Sequence, residues 1–187
     1  MSRFDGRRFA LAACGDDVTI YEWVRVLDPQ RIEVGDHVIV DDFVFLDGGA
    51  GLRIGSHVHV AGFVSIVGGG TCELGDFVGL AAGCRLITGT DLMDGSGLTG
   101  PTIPAPQRAV HRGRIRIGAH AVIGTNAVVH TDVEVGEGAI IGSGSVVTRD
   151  VPPWTISVGV PARPVKERSR DRILEFERVV RARDARG

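Results

Sequence analysis

A chain of 187 residues with a formal net charge of −2 has room for one domain and no excess positive charge to hold a nucleic acid or an anionic membrane. Glycine is abundant at 27 residues while aromatics make up 5%, which disfavours a core built on aromatic bulk and favours a repeat that stacks Val and Ile. No apolar run approaches a membrane span and the opening MSRFDGRRFALAACGDD lacks the apolar segment of a secretory signal, so a cytoplasmic protein without membrane insertion is expected.

In chain order, residues 1–17 form an N-terminal lead-in, irregular or briefly helical. A sixfold period starts weakly over 18–27 and becomes clear at Val34, Val40 and Leu46. It resumes at Ile54, Val60 and Ile66, and again at Leu74, Leu80 and Leu86, after Gly-rich breaks at 48–51 and 68–70 that read as enlarged corners. The period vanishes over 88–113, where Pro101, Pro104 and Pro106 fall; a long unpatterned segment inside a repeat reads as a functional loop. From 117 to 147 a branched aliphatic residue stands at 117, 123, 129, 135, 141 and 147 without a slip. An amphipathic helix repeats every 3.6 residues and a strand every two, and neither explains one aliphatic position in six. Three hexapeptides closing one triangular coil do, with the aliphatic position pointing inward.

Pro152, Pro153, Pro161 and Pro164 end the repeat, since proline cannot donate to a central ladder. Beyond it, Ile173, Phe176 and Val180 recur with helical spacing and Ser169 is the expected N-cap. The expected architecture is therefore all-β: a β-helix over 18–165 with the loop 88–113 thrown out of it, then a C-terminal helix over 166–187 whose basic excess forms a solvated face. Cys14, Cys72 and Cys84, widely spaced and without a CxxC, are expected as small core or wall residues in a reducing compartment.

The stretch IGTNAVV…VGEGAIIGSGSVVTRDVPPWTISVGVPARPVKER resembles the closing coils of hexapeptide-repeat, left-handed β-helix acyltransferases, including the galactoside and maltose O-acetyltransferases. Upstream, VDDFVFLDGGAGLRIGSHVHVAGFVSIVGGG and TDLMDGSGLTGPTIP resemble the branch acting on dTDP-4-amino-4,6-dideoxyglucose and its relatives. The resemblance covers residues 10–178. It implies a left-handed parallel β-helix, a homotrimer, acetyl-CoA in a groove between subunits, and a histidine base. The implied reaction is acetyl transfer to a sugar, with the amino group of a nucleotide-linked amino-deoxy sugar as first choice. O-acetylation of a glycoside or other small hydroxyl compound is the alternative.

Acyl transfer from a thioester needs a base, oxyanion donors and a positioned acceptor. Of six histidines, His59 matches the histidine of the family's IG-x-x-VHI motif and is the expected general base. His57, two residues earlier, and His111, at the far end of the loop, are expected to border the acceptor, with His111 the alternative base. The galactoside enzymes carry a T-G-H sequence at the loop root, but this chain has Leu86-Ile-Thr-Gly-Thr-Asp91 and no histidine there. Asp91 is expected to orient His59 or bind the acceptor amine, against a plain turn role. Asp41 and Asp42, one coil before His59, are expected to contact the sugar or to make turn hydrogen bonds. The resemblance puts Gly124, Thr125, Gly142, Ser143, Thr148, Arg149 and Arg163 near CoA, with the repeat's own need for small residues an equal reason for Gly124 and Gly142. Two rival classes remain. A γ-carbonic-anhydrase-like metal centre needs grouped histidines, and no third stands at a suggestive spacing from His57 and His59, so no metal is expected. A non-catalytic scaffold would not need the CoA-end residues.

Overall fold

The computed structural model describes residues 3–186, with side chains from residue 8 onward. Short parallel strands stack into three sheets around one axis: among the described residues, one of nine strands and two of six, plus a two-stranded hairpin. This is the three-sided parallel β-helix of the hexapeptide pattern. Every predicted aliphatic position points inward: Val40, Val60, Ile123, Val129, Val135 and Ile141 are fully buried, and Val34, the least covered of the set, is 5% exposed. A second inward position, two residues before a strand's aliphatic residue, is filled by Val38, Val58, Val78, Ala121 and Ala139. Each buried Val, Leu or Ile contributes roughly 1.5–3 kcal/mol, so the stack itself carries the stability. Cys72 and Cys84 belong to that core, and burial pushes the Cys84 thiol up to about 12.

Coil length explains the Gly-rich breaks. Side chains and amides on neighbouring coils pair across 20 residues in the N-terminal half (Ser56 N to Asp76 Oδ1) and across 18 near the C-terminus (Arg114 N to Asp132 Oδ1). The two extra residues per early coil sit in enlarged corners at 48–51 and 68–70, as expected.

Three faces and three corners organise the surface. The first face carries Thr19, Ile39, His59, Gly79, Val122 and Ile140 side by side on neighbouring strands. The second holds Arg25–Leu27, Phe45–Asp47, Ser65–Val67, Arg85–Ile87, Val128–Val129 and Val146–Val147. On the third, Glu33, Arg53, Glu73, Arg116 and Glu134 align outward as an alternating charge ladder, with Arg53 Nε 2.9 Å from Glu33 Oε2. Between the first and second faces lies a corner marked by Phe43 and Phe63, whose rings stack at 5.0 Å. The loop leaves the corner between the second and third faces. At the corner joining the third face to the first, His37, His57, Phe77 and His120 all adopt φ of 56–60° and stack ring on ring at 4.6–5.0 Å. Gly138 takes the next corner. A Cβ there would meet the Trp154 ring at 2.4 Å, so its absence lets the indole close the column beneath His120.

Both ends depart from the expected boundaries. The solenoid starts at Ala13–Cys14, which pairs with Ile32–Val34, rather than at residue 18. Arg3–Asp5 adds an antiparallel strand beside Thr19–Tyr21. At the other end, Thr155–Val158 still stacks parallel on Ile140–Ile141, and Arg163–Glu167 returns antiparallel along it as an edge strand that tolerates Pro164. The helix, α1, therefore begins only at Asp171 and runs to Asp184. Its N-cap is Arg170 without a side-chain cap bond, so the expected Ser169 cap does not form. The chain is committed to the ladder through Glu167 and the Arg168 amide donates to Trp154 O, which pushes the first helical turn downstream.

Instead of a wholly solvated face, α1 lays a polar stripe along the histidine corner. Glu177 accepts from His120 Nε2 at 2.9 Å, Arg181 donates to Asp76 at 2.8 Å and lies 5.1 Å above the Phe77 ring, and Asp184 accepts from His57 at 2.9 Å. Steps of three and four residues advance a helix about 4.5–6 Å, close to the 4.7–4.9 Å between coils, so one side chain meets each coil in turn. Arg168 secures the approach by donating to His120 O and Gly138 O, both at 2.8 Å.

Candidate active site

His59 opens its strand on the first face with its neighbour Val60 pointing inward, so the imidazole points out and its side chain is 56% exposed. One coil earlier Asp41 follows Val40, and its Oδ2 lies 3.0 Å from His59 Nε2. A carboxylate accepts from Nε2–H, which leaves the imidazole lone pair on Nδ1. The floor beside this dyad is bare. Gly79 is the register partner of His59, and a Cβ built on it would meet only Val122 methyls at 3.9 and 4.0 Å. Packing thus does not require glycine there. From Asp41 the ladder continues through Ala61, Ala81, Gly124 and Gly142, each amide donating to the coil beyond. At 4.7–4.9 Å per coil, Gly124 lies about 14 Å from Asp41 along this row of small residues.

The row reaches four of the expected CoA positions. Gly124 with Thr125 and Gly142 with Ser143 occupy adjacent coils at the phenylalanine corner, and Gly144 N donates to Thr125 O. Here packing does demand glycine: a Cβ on Gly124 would stand 2.6 Å from Ile141 O, and one on Gly142 2.6 Å from a Val158 methyl. Arg163 begins the edge strand opposite Val158 and is exposed. Thr148 and Arg149 lie apart from these, following Val146–Val147 at the loop corner, and both are exposed.

The remaining residues do not join His59 within one chain. Asp42 Oδ1 accepts the Trp23 amide at 2.9 Å, the turn role. His57 is not on the strand face of His59. Its φ of 58° places it around the corner, between His37 and Phe77 and beneath α1. Asp91 lies in the hairpin Gly89–Asp91/Val110–Arg112 at the root of the loop. Its Oδ1 accepts Arg108 Nε at 2.5 Å and its Oδ2 accepts Gly100 N at 2.9 Å, and the guanidinium holds its carboxyl below the usual range. It pins the loop rather than orienting His59. His111, on the same hairpin, forms a second dyad with Asp132 Oδ2 at 2.5 Å, which lowers the Asp132 carboxyl. Since this corner is opposite the His59 face, the two dyads stand on opposite sides of the solenoid. Sequence reasoning missed Asp132 and Arg108; only the coil stacking and the hairpin register show what they pair with.

Comparisons with known proteins give the family and the fold. Residues 114–149 match the family described as bacterial transferase hexapeptide (six repeats). The chain is 32% identical over 174 residues to dTDP-4-amino-4,6-dideoxy-D-glucose acyltransferase of Escherichia coli, covering 92% of this chain and 90% of that protein. Its structure resembles AntD, an N-acyltransferase from Bacillus cereus solved with dTDP and coenzyme A, with a TM-score of 0.89, 29% identity, and coverage of 97% and 98% of the two chains. A more distant likeness, of fold alone, is to perosamine N-acetyltransferase of Caulobacter crescentus, at a TM-score of 0.59 and 22% identity, covering 80% of this chain and 57% of that one. A non-catalytic scaffold is not what such a chain is: it belongs to the hexapeptide-repeat acyltransferases, in the family of the dTDP-4-amino-4,6-dideoxyglucose acyltransferases, and uses a CoA-type co-substrate.

Proposed function

We propose that the chain transfers the acetyl group of acetyl-CoA to the amino group of a nucleotide-linked amino-deoxy sugar, with His59 as general base. The observation that carries this reading is the His59–Asp41 dyad beside the bare backbone of Gly79, with a row of small residues leading from Asp41 to Gly124 and Gly142. The amine attacks the thioester carbonyl, His59 Nδ1 takes the proton the nitrogen loses, and the tetrahedral intermediate collapses to amide and CoA thiolate. No acyl-enzyme is needed. Asp41 holds the imidazole and stabilises its charged form. Thr125, Ser143 and Arg163 line the CoA side, Arg163 offering forked donors to phosphate. Thr148 and Arg149 serve the CoA of a neighbouring copy, because they share the loop corner. The relatives support the acceptor class: the E. coli enzyme is named for dTDP-4-amino-4,6-dideoxyglucose, and AntD has been solved with that sugar nucleotide and coenzyme A.

The active form is a homotrimer in this reading. Asp91, His111 and the loop lie across the solenoid from His59, so a site using both is completed by a second chain. In this reading the protein works in the cytoplasm. The His111–Asp132 dyad is the second candidate base, favoured by its short contact on the loop.

A thiol-release assay tests the assignment. Acetyl-CoA and 3-hydroxybutyryl-CoA, the donor seen in one AntD structure, are paired with dTDP-, UDP- and GDP-linked amino sugars and with simple glycosides. Acetyl-CoA turnover restricted to nucleotide amino sugars is expected. Turnover with glycosides alone, or only with the longer acyl donor, overturns the acceptor or the donor assignment respectively.

A further inference from the structure

The histidine corner gathers a second set of donor atoms, away from the His59 site. His37 and His57 hold the same corner position in successive coils, and their rings stack at 4.8 Å with 23° between planes. The last turn of α1 delivers Asp184 to the edge of that stack. Its Oδ2 lies 2.9 Å from His57 Nε2 and its Oδ1 3.7 Å from His37 Nε2. The three ligand atoms all lie within 4.8 Å of one another. The opposite nitrogen of His37, Nδ1, is 3.0 Å from Asp17 Oδ2. With Nδ1 turned to Asp17, His37 directs Nε2 at the Asp184 carboxylate, so a ring nitrogen of each histidine and one carboxylate oxygen converge on a single point. Carboxylate–imidazole–metal triads are built this way, with the outer carboxylate fixing the ring.

We infer that His37, His57 and Asp184 form a divalent-metal site for a nitrogen-preferring ion such as Zn2+, with Asp17 orienting His37. Two imidazoles and one carboxylate suit a borderline ion and not Ca2+ or Mg2+, which take oxygen ligands. Zinc–nitrogen bonds of about 2.0–2.1 Å put tetrahedral ligand atoms about 3.4 Å apart, so the widest separation here closes by side-chain rotation. The cleft is also lined by Asp36, Ser56 and Arg181 and opens to solvent, which supplies the remaining ligand. Arg181 does not repel the ion, because Glu177 at 2.7 Å and Asp76 at 2.8 Å already neutralise it. The site is completed only when α1 is docked, so the ion would staple the helix to two coils. None of its ligands belongs to the His59 site, and its test is independent of the acyl-transfer reading.

The full chain, stripped with chelator, is titrated with ZnCl2 by calorimetry, with bound metal counted by mass spectrometry and Co2+ used as an optical probe. One ion per chain, a raised Tm, and a Co2+ visible spectrum of low coordination number are expected. His37→Phe and His57→Phe keep the stack, since Phe77 already occupies this corner one coil on with φ 60°. Each of these variants, and Asp184→Asn, should lose stoichiometric Zn2+ uptake. Asp17→Asn should weaken it by about 10–100-fold, the usual cost of an outer-shell loss, and His130→Ala should leave it intact. No stoichiometric uptake by the wild-type chain, or uptake that survives His57→Phe or Asp184→Asn, overturns the site.

Discussion

At the scale of single residues, the proposed mechanism gives proton transfer to His59 and its orientation to Asp41. His59→Ala should lower kcat by about 10²–10⁴-fold, the usual contribution of a positioned base, and leave the Kd for CoA unchanged. Asp41→Asn should lower kcat less and leave KM alone. Steady-state kinetics with equilibrium CoA binding checks both, and near-normal turnover in His59→Ala would move the base to His111. The glycines allow a sharper comparison. Gly79 has room for a side chain, and Gly124 does not. Gly79→Val should therefore keep its Tm but raise KM at least tenfold by filling the bare floor beside the dyad. Gly124→Ala should lose about 1–3 kcal/mol through its clash with Ile141 O, read by denaturant unfolding. Equal stability loss in the two variants would remove the argument that Gly79 is kept bare for a ligand.

Among the elements, α1 is the one whose role changed most. Nine Lys and Arg against five Asp and Glu over 163–187 read as a solvated face. In the fold Glu177, Arg181 and Asp184 instead form the stripe that meets the aromatic column. Hydrogen bonding from Arg181, then from His120, holds the Glu177 carboxyl below its usual range. Burial alone would raise Asp76, but the Arg181 and Ser56 bonds outweigh it and lower its carboxyl too. Groups with depressed carboxyl pKa values stabilise the folded form above their unfolded values, about 4, and that contribution is lost as pH falls through the folded ones. The helix should therefore release in acid, below pH about 4, while the aliphatic core still holds the coils. Hydrogen exchange across 171–184 against pH checks this. His37, whose pKa the Asp17 hydrogen bond raises, faces Asp184, so protection of the last turn alone should weaken as pH rises through that group. Loss across residues 171–181 between pH 5 and 8 would instead contradict the carboxylate assignment. Trp154, which Arg168 covers at 5.8 Å, offers a fluorescence report of the same event.

For the whole molecule, the separation of the two dyads is the deciding feature. A rigid solenoid keeps the His59 face and the loop corner apart, so only a neighbouring chain can bring them together. If the trimer shares its sites in this way, mixing a His59→Ala chain with an Arg108→Ala chain should restore a fraction of wild-type activity, because some interfaces then carry both intact halves. Sedimentation should show three chains per particle. An active monomer, or mixed particles that stay inactive while both parents remain trimeric, would place each site within one subunit.

The amino-acid sequence by itself determined the solenoid, because one inward position in six is a local, periodic requirement that each hexapeptide states for itself. The strict run 117–147, the enlarged Gly-rich corners and the loop over 88–113 were legible on those grounds. His59 was singled out by resemblance to the family, while its pairing with Asp41 was not foreseen, Asp91 having been the expected orienting residue. The tertiary structure decided what lies side by side, since coil stacking joins residues 18 or 20 apart and α1 reaches back across 127. It set His57 around the corner from His59, tied Asp91 to Arg108, gave His111 its partner Asp132, delayed the helix to Asp171 and brought Asp184 to two stacked histidines. None of these follows from spacing alone, because a two-residue change in coil length or one positive φ at a corner redirects a side chain to another face.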